Sequence, residues 1–150
     1  MSKVENKTGT CLCKAVSFKV AELDTSLHAC HCGMCAKYGG GPSLSFSCGK
    51  EIEFKGEENI KEYRSSDWAS RGFCSSCGTH LYYKFVESKE YLMCPGIFDE
   101  EIAFVFEEQI FIDKKPSYYD FATSTGCSEL DASQFLPNAF SNSLSNTRPQ

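Results

Sequence analysis

Seven of the ten cysteines in this 150-residue chain fall into three tight groups, and no other feature restricts the fold as much. Cys11-x-Cys13 comes first, then Cys30-x-Cys32-x-x-Cys35 within HACHCGMC, then Cys74-x-x-Cys77-Gly78. Thiols set so close together either pair as disulfides or share a cation. A chain of this length buries roughly 70% of the surface its unfolded form exposes, so it does not need cross-links for lack of core. The opening MSKVENKTGT is polar and lacks the apolar centre of a signal peptide. The expected compartment is therefore the cytoplasm, where a disulfide framework is disfavoured and metal binding or catalysis favoured. A secreted scaffold with its leader trimmed is the competing reading; the initiating Met1 and the close cysteine pairs argue against it.

The spacings suit zinc. With Zn–S bonds near 2.3 Å, tetrahedral coordination sets sulfurs roughly 3.7 Å apart. A C-x-x-C turn delivers two thiolates from one loop, and Gly78 fits the reversal after Cys77. In extended backbone, residues i and i+2 face the same way, so C-x-C also makes a pair. Seven thiols cannot fill two four-sulfur sites and divide as four plus three. Spacing alone does not fix the split, but Cys11, Cys13, Cys74 and Cys77 make two pairs and one closed site. Cys30, Cys32 and Cys35 then form an incomplete one. Structural zinc sites are closed by four protein ligands, whereas catalytic sites use three and keep a position open. A histidine could still close the second set. His31 lies between Cys30 and Cys32 and points to the other face of an extended segment. His28 shares the face of Cys30, so closure by His28 stays open as an alternative. His80 reads as part of the strand after the last cysteine pair.

The rest of the chain reads as an all-β domain of several small sheets with few, short helices. Val16, Phe18 and Val20 alternate with Ala15, Ser17 and Lys19 in a first strand. SLSFSCGKEIEF reads as a hairpin turning at Gly49-Lys50. IKEYRSS, THLYYKF and EYLMC are further strands, and IAFVF…QIFI reads as two strands or one broken at Glu107-Glu108. Residues 1–127 are expected to form the domain, and 128–150, Ser/Asn-rich and unpatterned toward the end, a mobile tail. A net charge of −5 with no basic run argues against nucleic acid. No apolar stretch approaches the ~20 residues of a membrane span. The ends of several small sheets would suit a homodimer. Cys48 reads as a small hydrophobe, Cys94 as a turn residue before Pro95-Gly96, and Cys127 has no close partner.

Taken in order, GTCLCKAVSF, HACHCGMCAKYGG, RGFCSSCGTHL, PGIFDE and QIFIDKKPSYY resemble the glutathione-dependent formaldehyde-activating enzymes and the related centromere protein V-like proteins over roughly residues 8–121. The resemblance implies an Mss4-like fold of several coiled antiparallel sheets. It implies a structural zinc at Cys11, Cys13, Cys74 and Cys77, and a second zinc at Cys30, Cys32 and Cys35 where a substrate thiol binds. It thus implies a carbon–sulfur lyase that joins glutathione, or a similar small thiol, to formaldehyde as an S-hydroxymethyl adduct, or cleaves that adduct. Three departures stand out: Lys14 where the family often has Gly, Ala36 where it often has Arg, and Tyr118 or Tyr119 where Trp is common. Lys37 and Arg71 could bind a substrate carboxylate, although a solvated charge and a structural donor are the plainer readings. The Gly39-Gly40-Gly41 run could let a ligand approach the backbone or serve as a simple turn. Two other functions fit the same residues: a non-catalytic zinc module for protein interaction or chaperoning, and a thiol-based redox or metal-buffering protein.

Overall fold

The computed structural model describes residues 2–122 and 128–135, and Cys127 lies outside them. The chain is mainly β, with multiple sheets, and its described residues fall into two compact units: those within 2–26 and 46–104, and those within 27–45 and 105–135. No helix among the described residues is long and apolar enough to cross a membrane.

In the first unit, β1 (Lys3–Thr10), β2 (Ser17–Asp24) and β5 (Ile52–Lys55) form an antiparallel three-stranded sheet with β2 at its centre. The alternation in β2 works as the sequence predicts: Val16, Phe18 and Val20 are buried and Lys19 is exposed. The polar β1 carries no such alternation and escapes sequence reading; as an edge strand it has only one neighbour to satisfy. A second antiparallel array runs β9 (Tyr91–Met93), β8 (His80–Phe85), β7 (Ala69–Cys74) and β6 (Ile60–Arg64). Within β7, Gly72 lies against the ring of Tyr82, where an added Cβ would come within 2.3 Å of a ring carbon. Only glycine fits that contact.

The hairpin expected from SLSFSCGKEIEF does not form. Phe46 and Ser47 at the end of β4 (Ser43–Ser47) pair with Met93 and Leu92. The Cys48 N–H donates to the Tyr91 carbonyl, and the Tyr91 N–H to that of Gly49. The chain therefore stays on β9 through the turn, and β5 departs to β2. Alternation marks which face of a strand is buried, not which strand it joins.

In the second unit, β3 (Ser26–Cys30) pairs antiparallel with the start of β4, and β10 (Val105–Ile110) neighbours β3 on its other side. β10 is a single strand that passes through Glu107-Glu108 without the expected break, because both side chains are half-buried rather than turned out. Ser128–Leu130 form β11, parallel to β10, and are followed by the one-turn helix α2 (Ala132–Phe135), whose Ala132 N–H donates to Asp113 at 2.7 Å. α1 (Gly33–Gly39) starts directly after β3 and is capped by Gly40.

Candidate metal centres and an adjoining cleft

The first sulfur cluster belongs to the first unit. The Sγ atoms of Cys11, Cys13, Cys74 and Cys77 lie within 4.8 Å of one another. The Cys11–Cys13 separation is 3.6 Å and the Cys13–Cys74 separation 3.7 Å, matching what tetrahedral bonds of about 2.3 Å require. Cys11 and Cys74 are embedded in a small core with Val16 and Leu81. The two loops close alike. Lys14 N–H returns to the Cys11 carbonyl at 3.1 Å, and Gly78 N–H to that of Cys74 at 2.8 Å. Gly78 takes φ +77 for its reversal, where glycine costs nothing. Lys14 takes φ +65 at the equivalent place, so the departure from glycine noted in the sequence sits in a left-handed position.

Thr79 ties the two loops together. Its hydroxyl oxygen accepts from the Leu12 N–H at 3.0 Å, leaving its proton for the Cys77 sulfur at 3.1 Å. That hydroxyl, then the Thr79 and Cys13 backbone, hold the Cys77 thiol down at about 5. Against the Ala15 N–H, which favours its thiolate, burial and the three other sulfurs push Cys13 up to about 12. Four thiols at these distances resist ionising together unless a cation joins them.

The second cluster belongs to the second unit. The sulfurs of Cys30, Cys32 and Cys35 also lie within 4.8 Å of one another, and among the described residues no histidine, carboxylate or further cysteine joins them. β3 delivers Cys30, and the turn into α1 delivers the other two. Cys32 is the N-cap of α1 in extended backbone, with its sulfur accepting from the Cys35 N–H at 3.4 Å. Phe111 packs on Cys32 and Cys35, with Met34, Ile110 and Ala132 around them. Crowding by Cys32 and Cys35, then burial, holds the Cys30 thiol well above its usual range. Both donor sets are all cysteine, the set that suits zinc.

Neither nearby histidine completes the trio. His28 Nδ1 lies 3.0 Å from Glu108 Oε2. His31 is buried with both ring nitrogens engaged, Nε2 at 2.8 Å from Gln109 Oε1 and Nδ1 at 2.5 Å from the Tyr119 hydroxyl. Burial lowers the His31 pKa, and burial, then Tyr118 and Cys30, raise that of Tyr119. His31 and Tyr119 line a cleft of about 380 Å³ together with Lys37, Lys114, Tyr118 and Gly41. Sequence reading missed Phe111 beside the trio, and Gln109 and Tyr119 beside His31, since nothing local in QIFI or SYYD marks them.

The remaining candidates have structural surroundings. His80 opens β8 opposite Phe73. Arg71 is buried, donates to Ser65 Oγ at 3.2 Å and lies over the Tyr83 ring. Cys48 is buried, and burial raises its thiol; Cys94 precedes the 3-10 turn at Pro95–Ile97.

A mainly β chain with one four-sulfur and one three-sulfur cluster defines a class of protein built around thiolate sites able to hold metal. The sequence profile of the family described as glutathione-dependent formaldehyde-activating enzyme matches residues 6–114, and the chain belongs to that family. It is 36% identical over 124 residues to an uncharacterized lyase of Schizosaccharomyces pombe, covering 82% of this chain and 90% of the relative. Family and relative together support a lyase. A crystal structure of a Rhodobacter sphaeroides protein shares the fold, with a TM-score of 0.53 and 23% identity over 64% of this chain and 91% of that one.

Proposed function

We infer that this protein is a zinc-dependent carbon–sulfur lyase of the glutathione-dependent formaldehyde-activating type. Cys11, Cys13, Cys74 and Cys77 would hold a structural zinc. Cys30, Cys32 and Cys35 would hold a second zinc with one position left for a small thiol such as glutathione. The observation that carries this reading is the three-sulfur cluster with no fourth ligating side chain among the described residues, since an open position is the mark of a catalytic zinc.

A zinc ion there would keep the substrate sulfur as its thiolate and stabilise it as a leaving group. In synthesis the thiolate sulfur bonds to the formaldehyde carbon and the carbonyl oxygen gains a proton; in cleavage that C–S bond breaks and the proton is returned. The chain's own residues serve the rest of the substrate. Lys37 and Lys114 line the cleft, with the Lys114 ammonium 3.3 Å from Asp113 Oδ2, and no Asp or Glu lines it among the described residues. Glutathione carries two carboxylates for them. The Cys35 N–H aimed at the Cys32 sulfur offsets part of the negative charge that three thiolates bring.

Zinc content of the purified protein tests the reading. Two zinc ions per chain are expected, falling to one in Cys32→Ala, with glutathione binding to the wild type and not to the variant. One tightly held zinc in the wild type, or two with no binding of glutathione, would turn the assignment toward a structural zinc module.

A further inference from the structure

Among the described residues, Asn6, Lys14, Lys89 and Phe111 take a left-handed backbone without being glycine. The first three are exposed, whereas Phe111 is buried, at 6% exposure. Its φ of 56 and ψ of 43 set a bulky aromatic in a conformation that residues other than glycine, asparagine and aspartate rarely adopt. Such a residue persists where its surroundings fix it from both sides. On one side, the Ile110 carbonyl at the end of β10 accepts from the His31 N–H at 3.1 Å, so the segment between Cys30 and Cys32 holds the strand end. On the other, the Phe111 carbonyl accepts from the Lys114 N–H at 2.9 Å and closes the 3-10 turn Ile112–Lys114.

This kink builds an apolar wall beside two sulfurs. Phe111 forms one buried cluster with Cys32 and Cys35, which are 8% and 9% exposed. Met34, Ile110 and Ala132 pack around it. The same turn supplies Asp113, whose Oδ1 accepts from the Ala132 N–H at 2.7 Å and fixes the start of α2 against the cluster. The four-sulfur set differs, since its Cys13 is exposed and its Cys77 half-buried. A ring needed only to fill a core sits as well on extended backbone, where it meets no strain. An apolar shell around metal ligands governs how readily water reaches them, and protons and competing chelators arrive with that water.

We propose that Phe111 is a positioning residue of the three-sulfur site: its left-handed backbone holds an apolar wall against Cys32 and Cys35, which keeps water from their sulfurs and slows the loss of an ion held there. An ion on three sulfurs has one protein bond fewer than an ion on four, and the wall offsets that deficit. The proposal rests on the reading above that the trio holds zinc; it does not depend on which thiol binds.

Transfer of zinc from the zinc-loaded protein to an excess of a chromogenic chelator tests it. Cys32→Ala, with zinc at the four-sulfur site alone, identifies which phase of the transfer belongs to which site. Phe111→Gly adopts the left-handed conformation freely and loses the ring. Its three-sulfur phase is expected to quicken about tenfold, the lower end of what the surroundings of metal ligands contribute, while its four-sulfur phase stays unchanged. Phe111→Leu keeps an apolar wall and is expected to stay close to wild type at both sites. Phe111→Asn tolerates the same backbone and brings a polar amide in place of the ring. It should match the glycine variant, and it carries the comparison if that variant fails to fold. An unchanged three-sulfur phase in the asparagine and glycine variants, equal quickening at both sites, or a leucine variant as fast as these two would overturn the proposal. A wild type that holds a single zinc would fail the two-zinc reading itself, and the proposal with it.

Discussion

At the residue scale, the fold depends on a few side chains whose absence or presence is fixed by close contacts. Gly72→Ala would drive a methyl group to 2.3 Å from the Tyr82 ring. It is expected to destabilise the domain by roughly 1–3 kcal/mol, the usual range for overpacking, read as a lower midpoint in urea. Lys14 carries a β-carbon at φ +65, a conformation that costs L-residues roughly 1–2 kcal/mol. Lys14→Gly is expected to gain up to about 1 kcal/mol after the entropy that glycine adds to the unfolded chain, whereas a β-branched residue there would lose stability. Burial, and then Arg71, lower the His80 pKa below its usual 6.5. The unfolded chain then binds a proton that the folded chain does not, so this histidine's contribution to stability is present at neutral pH and is lost as pH falls below about 6.5. His80→Gln should flatten that part of the stability–pH curve, as measured by denaturant midpoints at a series of pH values. None of these environments is visible in the sequence. The cysteines are, because their spacing encodes the distance between sulfurs directly.

At the scale of elements, α1 is a seven-residue helix, too short to hold by propensity alone. Its start is fixed by Cys32, which serves both as N-cap and as a member of the sulfur trio. The two roles separate by substitution. Cys32→Ser keeps a capping oxygen and removes the sulfur; Cys32→Ala removes both. Amide hydrogen exchange at Cys35 is expected to stay near wild type in the serine variant and to quicken by about five- to tenfold in the alanine variant, in line with about 1 kcal/mol for a cap. The second zinc should be lost or weakened in both. The sequence shows the existence of β2, β6, β8 and β9 well, because alternation with aromatic and β-branched residues marks them. It does not show partners. β4 and β5 read as one hairpin and join different neighbours, and β10 reads as broken at two glutamates that it accommodates. β1 and β7 go unseen, the first because an edge strand can be polar. The second is obscured by its charge and glycine, although Arg71 is buried and Gly72 is there to fit a ring.

At the scale of the whole molecule, the two clusters have different standing. Cys11 and Cys74 belong to a hydrophobic core with Val16 and Leu81, and their loops are tied by Thr79. Loss of the four-sulfur site should therefore cost stability as well as metal, because binding energy at a site unformed in the unfolded chain is folding energy. Cys74→Ala is expected to lower stability by several kcal/mol and to release one zinc, read by thermal unfolding followed by circular dichroism alongside zinc content. The four-plus-three division is legible from the count of seven clustered cysteines, while spacing alone leaves open which of them share a site. The engagement of both nearby histidines elsewhere is not legible, since it depends on Glu108, Gln109 and Tyr119, 78 to 88 residues away in the chain. The central claim is that one site is closed and the other open to a thiol. Cadmium-113 NMR of the cadmium-substituted protein tests this most directly, because the shift reports the number of sulfurs on each ion. The account expects two resonances, one in the tetrathiolate range that ignores added glutathione and one that moves toward that range as glutathione binds. Two resonances that both ignore glutathione, or a single resonance, would contradict it.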